Sequence, residues 1–444
     1  MARDCQRRPK LWAFVTDLDP ANVALSLDRS QSHPLGVAFT HMPLHRSLYA
    51  TVLNHSQRWI RVDIRVSPGE EETLRGLEKV CAPVLQHLRL ELSTATTIIL
   101  DLFRDHPPRL TSLALVDIAI RSWNSPIFGS HLHSLHLERI HTSGPTREDL
   151  RSIMHTCPEL AHLVLAQVVF SDGSGGLSPS GPRVRLPLLH TLLLRPTLST
   201  DAMEIARMAE TPCCKNYLVT GGLESPHPIV FSAIALRIQP LFEACIASGS
   251  SLQVHLIGSW IRIRCRDNQS SSTSFVLSLS MAGSEEKVFD WLNKILIPRP
   301  LLSPIPIDLH LNYIARWGPP PPSTGNLLRL SNVRSLTITD THGCTGHLVE
   351  ALSISTLSSE GCEGWMWPSL RKVNVIGFRR PPTVLLNMIK ARTEAALLRG
   401  GTGTTDEIAM LEVLEVGADV FTSEEFEAVR GVLGDAAVMR PRNE

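Results

Sequence analysis

The chain has 444 residues, with 43 Lys+Arg against 43 Asp+Glu, and hydrophobic residues make up 43% of it. Compact domains usually close at roughly 100 to 200 residues, so this length calls for several cores or one extended array. The balanced charge argues against nucleic acid or an anionic membrane surface as partner, and the apolar content argues against disorder.

The first ten residues are charged, and the apolar stretch after them, Leu11 to Val15, is too short for the core of a secretory signal. No run approaches the roughly 18 to 20 apolar residues that span a bilayer. The expected setting is therefore intracellular, cytoplasmic or nuclear, without membrane partners. Cysteines stand at 5, 81, 157, 213, 214, 245, 265, 344 and 362, with no CxxC pair among them, which predicts reduced and mostly buried thiols.

Residues 1–54 read as a cap region, and a repeat begins near residue 55. Trp59, Val62 and Ile64 open it. Five copies of leucine, two residues, leucine, one residue, leucine then follow: Leu85/Leu88/Leu90, Leu110/Leu113/Leu115, Leu132/Leu135/Leu137, Leu160/Leu163/Leu165 and Leu189/Leu192/Leu194. Their third leucines are separated by 25, 22, 28 and 29 residues, close to the roughly 20 to 29 residues of a leucine-rich repeat. Two leucines two apart on a strand point to one face, and the first leucine folds under from the preceding turn. No such unit buries its leucines alone, so neighbours must stack.

Between the strands, helices are predicted over Thr73 to Cys81, Thr96 to His106, Thr146 to Cys157 and Ser199 to Thr211. Thr146 with Asp149 three residues on makes the third a clear start, and Pro158 stops it. An asparagine usually follows the third leucine of such repeats, but here Ser93, Ile118, Ile140, Val168 and Thr197 stand there, so no asparagine ladder is expected.

Regular repeats are predicted over 55–211 and an irregular section of the same array over 212–322. In that section Phe231 to Ile238, Leu252 to Ile263, Phe275 to Leu279 and Ile305 to Leu311 read as strands, and Glu285 to Leu296 as a helix. C-terminal repeats and a cap occupy 323–444, with Val333/Leu336/Ile338, Leu370/Val373/Val375 and Leu411/Leu414/Val416 in wider spacing, filled by longer helices or loops. Ser171 to Gly181, Gly318 to Asn326 and Gly400 to Thr405 read as loops or linkers. The predicted fold class is α/β: an irregular leucine-rich-repeat solenoid, a horseshoe with a parallel inner sheet and outer helices.

Chemistry is sparse. His131, His133 and His136 cluster without acidic or cysteine ligands at metal spacing, so outward strand residues are the better reading. Gly400 to Gly403 lacks the Lys-Ser/Thr of a phosphate loop, and Gly173 to Gly176 lacks nucleophile-elbow spacing. Cys213 and Cys214 read as inert thiols, and Trp365 and Trp367 as packing at the turn into a strand. No catalytic residue, metal or cofactor is assigned. The predicted binding surface is the face of residues alternating with the buried leucines, above all His87, Arg89, Glu91, Ser134, His136, Glu138, His162 and Arg195.

The N-terminal region adds a resemblance. Pro9-Lys10-Leu11-Trp12, then Val23 to Ser30, then His33 to Val37, then Asn54-His55-Ser56-Gln57-Arg58-Trp59 follow one another. This order resembles fungal F-box proteins of the basidiomycete type, in which a P-x-L-W strand, a helix ending in E/D-R-S, an x-P-L strand and a helix ending in H-S-x-R-W precede the repeats. The resemblance implies a substrate receptor of a cullin-type ubiquitin ligase, with the F-box docking an adaptor and the repeats holding the substrate. That family's F-box takes about 40 residues upstream of Pro9, where eight stand here, so adaptor binding is expected only if an F-box lies upstream. The expected function is thus a non-enzymatic module binding a protein partner. The alternative is a hydrolase or transferase with its site in 212–322.

Overall fold

A computed structural model gives the structure of the chain. It describes residues 10, 13–16, 20–40, 46–93, 97–172, 182–195, 199–219, 239, 243, 251–257, 260–266, 273–280, 290–292, 306–313, 332–340, 346–353, 355–357, 363–365, 367–376, 382–399, 409–417 and 421–440. The chain divides into two compact units, Met1–Glu224 and Ser225–Glu444. Both are α/β with a largely parallel sheet.

In the first unit the strands are β1 (Phe14–Thr16), β2 (Leu35–Phe39), β3 (Trp59–Val66), β4 (His87–Leu92), β5 (Ile98–Leu100), β6 (Ser112–Val116), β7 (Ile118–Ile120), β8 (Ser134–Glu138), β9 (His162–Ala166), β10 (Val184–Arg185), β11 (Thr191–Arg195), β12 (Ala209–Glu210) and β13 (Asn216–Val219). The main sheet runs β1-β2-β3-β4-β6-β8-β9-β11-β13, every neighbouring pair parallel. β5 with β7 and β10 with β12 form separate parallel pairs.

The five leucine copies fall on β4, β6, β8, β9 and β11, and the register stacks them. Leu88, Leu113, Leu135, Leu163 and Leu192 lie side by side, as do Leu90, Leu115, Leu137, Leu165 and Leu194. None is more than 3% exposed. Leu85, Leu110, Leu132, Leu160 and Leu189 fill in beneath from the turns, at 1% or less. At roughly 1.5 to 3 kcal/mol for each fully buried leucine, these stacked rows are the main source of cohesion.

β6, β8 and β9 are each followed by a residue with left-handed backbone: Asp117 (φ 60°), Arg139 (φ 53°) and Gln167 (φ 55°). Their N–H groups donate to the carbonyl of the next strand's last residue, Asp117 to Glu138 at 2.9 Å, Arg139 to Ala166 at 2.8 Å and Gln167 to Arg195 at 2.6 Å. Ile118, Ile140 and Val168 then plug the turn, each 2% exposed or less. These apolar side chains fill the positions where an asparagine ladder would run. The tight turn is made by the backbone instead.

The predicted helix at Thr146 forms as Arg147–Thr156. Thr146 Oγ1 accepts from the Asp149 N–H at 2.9 Å, and the Asp149 carboxylate accepts from the Thr146 N–H at 2.9 Å. Ser199–Met208 is also helical, but Ala209–Glu210 turns into β12. Over Thr73 to Cys81 the chain makes only Glu71–Leu74 and a 3₁₀ turn, Arg75–Lys79.

The helix predicted over Thr96 to His106 is a correction: Ile98–Leu100 is β5, and Asp101 to His106 is turns. β-branched Thr97, Ile98 and Ile99 lose side-chain freedom in a helix and favour an extended chain. With β7 alongside, the strand wins.

In the second unit the strands are β14 (Ser251–Ile257), β15 (Trp260–Arg266), β16 (Thr273–Ser280), β17 (Ile307–Tyr313), β18 (Val333–Asp340), β19 (Ser355–Leu357), β20 (Glu363–Trp365), β21 (Lys372–Ile376), β22 (Val413–Gly417) and β23 (Ala437–Arg440). The order is β16-β15-β14-β17-β18-β21-β22-β23; β16, β15 and β14 are antiparallel and the remaining neighbours parallel. Leu252 to Ile263, predicted as one strand, is thus an antiparallel pair. The wider spacing between β21 and β22 is filled by the helix Pro382–Arg399. Phe231 to Ile238, the linker at 318–326, the loop at 400–405 and, of the loop predicted over 171–181, residues 173–181 lie outside the described residues, and of the helix predicted over 285–296 only 290–292 is described, as helix.

Arg392, 1% exposed on the helix Pro382–Arg399, donates to the Trp367 carbonyl at 2.8 Å, and burial pulls its guanidinium down to about 10. Trp367, 2% exposed, packs at the turn into β21, where the sequence placed it.

Candidate functional site

The face of the first unit opposite the leucine rows is a grid fixed by strand register. One row across the strands reads Arg61, His87, Ser112, Ser134, His162, Thr191 and Asn216; the next reads Asp63, Arg89, Ala114, His136, Val164, Leu193 and Leu218; the third reads Arg65, Glu91, Val116, Glu138, Ala166 and Arg195. His87, Arg89, His162 and Arg195 are exposed, and Ser134, His136 and Glu138 half-buried. Seven of the eight predicted contact residues therefore reach solvent.

Glu91, the eighth, is largely buried. It is 9% exposed, and its carboxylate accepts from Arg65 Nη2 at 2.5 Å and Arg89 Nη2 at 2.9 Å. Arg139 Nη2 stands 4.0 Å away. Burial alone would raise its pKa, but the hydrogen bonds from Arg89 and Arg65 outweigh it and hold the carboxyl below the usual range. Glu91 is an anchor of the face, tying β3 to β4 through Arg65 and Arg89.

The same network extends sideways. Arg139 donates from Nε to Asp117 Oδ2 at 2.8 Å, with Nη2 also at 2.8 Å from that oxygen, and from Nη1 to Glu138 Oε1 at 3.1 Å. The Asp117 hydrogen bond, opposed by burial, strengthens the protonation of Arg139. Glu138 in turn meets His136 Nε2 at 2.9 Å. Asp117 is 1% exposed, so this is a buried charge whose cation is partly open to solvent.

Sequence reasoning missed Asp63, Arg65, Asp117 and Arg139. The alternation Arg61, Asp63, Arg65 along β3 was a legible signal for the first two. Nothing marked Asp117 and Arg139, because a left-handed turn without glycine has no sequence signature.

Across the strands the middle row changes character. It is charged at β3 and β4 and apolar at β9, β11 and β13, where Val164, Leu193 and Leu218 are half-buried.

Among the described residues no group of three or more His, Cys, Asp or Glu is arranged to hold a metal ion, and no helix is long and apolar enough to cross a membrane. His133 Nδ1 lies 2.6 Å from the His131 carbonyl and Nε2 lies 3.6 Å from Glu159. Cys157 and Cys214 are buried, and burial pushes both thiols up to about 12, whereas Cys213 is exposed. In the second unit His255 stacks on its strand neighbour His310 at 4.3 Å, with Arg262 next to His255 across β14 and β15.

Fold and face together define an α/β protein with a largely parallel sheet whose outward face is graded from charged to apolar. Compared with known proteins, the chain matches no family model and no curated protein.

Proposed function

We propose that the first unit is an irregular leucine-rich-repeat solenoid and that its outward sheet face docks a protein partner. The observation behind this reading is the row Val164, Leu193 and Leu218, half-buried apolar groups beside the charged cluster around Glu91 and Arg139. Small apolar anchors rimmed by polar groups are the usual make-up of a protein interface.

The test is affinity purification with the full chain and with the double variant Val164→Lys, Leu193→Lys. Both positions face outward, so the variant should keep its circular dichroism and melting profile. Partners recovered from a fungal extract with the parent should drop about tenfold or more with the variant. Equal recovery, or no reproducible partner, would sink the proposal.

The resemblance to fungal F-box proteins supplies a more specific form, a substrate receptor of a cullin-type ubiquitin ligase. Its support is the order of elements it implies: helix Pro20–Arg29, strand β2, helix Arg46–Leu53, strand β3. On that reading the adaptor is bound by an F-box preceding this segment, and the outward face holds the protein to be modified. Recovery of a ligase adaptor with a protein carrying such an extension would support it; recovery of partners without any ligase component would count against it.

A further inference from the structure

From the layering of charge on the outward face of the first unit we infer the chemistry of its partner: a protein segment with carboxylates at one end and an apolar side chain at the other. The inference rests on the proposal that this face docks a protein, and it says what that protein presents. The ion pairs of β3 and β4 are stacked by depth. The Arg65 side chain is 48% exposed and that of Arg89 46%, whereas the Glu91 side chain that both of them hold is 11% exposed. Asp63, 3.8 Å from Arg89 Nε, is 25% exposed. Farther along the face, Arg139 is 34% exposed above Asp117 at 1% and Glu138 at 26%. In every one of these pairs the guanidinium lies outermost.

An approaching chain therefore meets the cations first. On β3 and β4 the outward residues Arg61, Arg65 and Arg89 stand against Asp63 and Glu91, three cations to two anions. The surplus is Arg61, which is exposed and has no acidic partner among the described residues; its row neighbour His87 is exposed as well. Arg65 gives Nη2 to Glu91, and Arg89 gives Nη2 to Glu91 and Nε to Asp63. A guanidinium carries five N–H donors in a fork that matches a carboxylate, so both keep donors to spare. A partner's lysine would find these acceptors taken and the outer layer repulsive. A partner's carboxylate meets neither obstacle. Around Arg139 the count reverses, one cation to the two carboxylates of Asp117 and Glu138, which places the partner's acidic residues over β3 and β4.

Register sets the spacing of the two ends. The middle row runs from Arg89 on β4 through β6, β8 and β9 to Leu193 on β11, four strand steps. At about 4.8 Å per step the two side chains stand roughly 19 Å apart. An extended chain covers that distance in about six residues. Ala114, between them, is too small to anchor anything, so recognition falls to the ends of the row.

The probe is a fluorescein-labelled peptide with a pair of glutamates, a glycine–serine spacer of about six residues and a leucine–valine pair, titrated against the full chain by anisotropy. Saturable binding is expected, with a lysine counterpart weaker by about tenfold or more. Shortening the spacer to about two residues should cost about tenfold, because the peptide then reaches only one end. Arg61→Glu breaks no ion pair, so it should leave the melting profile unchanged while weakening the glutamate peptide about tenfold. Val164→Lys with Leu193→Lys should weaken both peptides. Equal or tighter binding of the lysine peptide, indifference to Arg61→Glu, or no saturable binding at millimolar peptide would overturn the inference. So would a single-stranded oligonucleotide that displaces the peptide at equal concentration. Partners from an extract that are lost with Val164→Lys and Leu193→Lys but kept with Arg61→Glu would leave the docking face standing and remove its preference for acid.

Discussion

Replacing Arg139 by alanine removes the one cation paired, among the described residues, with a carboxylate that is 1% exposed, since Asp117 takes both of its 2.8 Å contacts from that guanidinium. Breaking a buried pair by deleting one partner costs about 3 to 5 kcal/mol. The Arg139 side chain is 34% exposed, so the lower end, about 3 kcal/mol, is the expected loss. A second variant separates charge from backbone. Arg139 sits at φ 53°, where an L side chain carries about 1 kcal/mol of strain that glycine does not. Arg139→Gly should therefore be about 1 kcal/mol more stable than Arg139→Ala while still losing the pair. Urea unfolding of both variants, read on the transition of the first unit, measures each difference. If Arg139→Ala lies within about 0.5 kcal/mol of the parent, the ion pair contributes nothing and the account of this turn is wrong.

Leu135→Ala should cost about 2 to 5 kcal/mol, Leu135 being fully buried, while its neighbour His136→Ala should cost under about 1 kcal/mol; equal costs in urea unfolding would undo the assignment of the two faces. Glu91 is held below its ordinary value of 4.5, so its stabilisation is complete above that pH and fades as the pH falls below it. The stability gap between the parent and Glu91→Gln should be flat at neutral pH and close as the pH falls below 4.5, and a gap that instead widens on acidification would refute the clamp. Gly144→Ala places a Cβ 2.0 Å from a backbone oxygen and should cost about 3 kcal/mol, seen as a lowered melting temperature; an unchanged melt would mean the two chain segments are not so close.

Much of the first unit was legible because leucines two apart on a strand, repeated at near-regular intervals, leave little choice of which face is buried. The helix at Arg147–Thr156 was legible for the same kind of reason: Thr146 and Asp149 satisfy each other's backbone groups locally. What failed depended on neighbours distant in sequence. β5 became a strand because β7, about 20 residues on, pairs with it. Glu91 looked like an outward residue and is one by alternation, yet arginines from β3 and β4 close over it. Of the site, single positions were readable, but the gradient from charge to apolar was not, because it exists only once the register aligns strands more than twenty residues apart.

The backbone turn that ends β6, β8 and β9 bears on how this surface is encoded. Each turn fixes the end of its strand to the next before the connecting segment departs, so connections of different length can be added behind it without shifting the rows in front. Intervals of 22 and 29 residues accordingly give the same alignment. A partner lying along the middle row would touch Asp63, Arg89, Ala114, His136, Val164 and Leu193 in turn, one residue from each of six separate stretches of chain. Specificity written this way leaves no contiguous motif, and a relative with the same partner would share scattered positions at repeat spacing while differing in nearly everything between them.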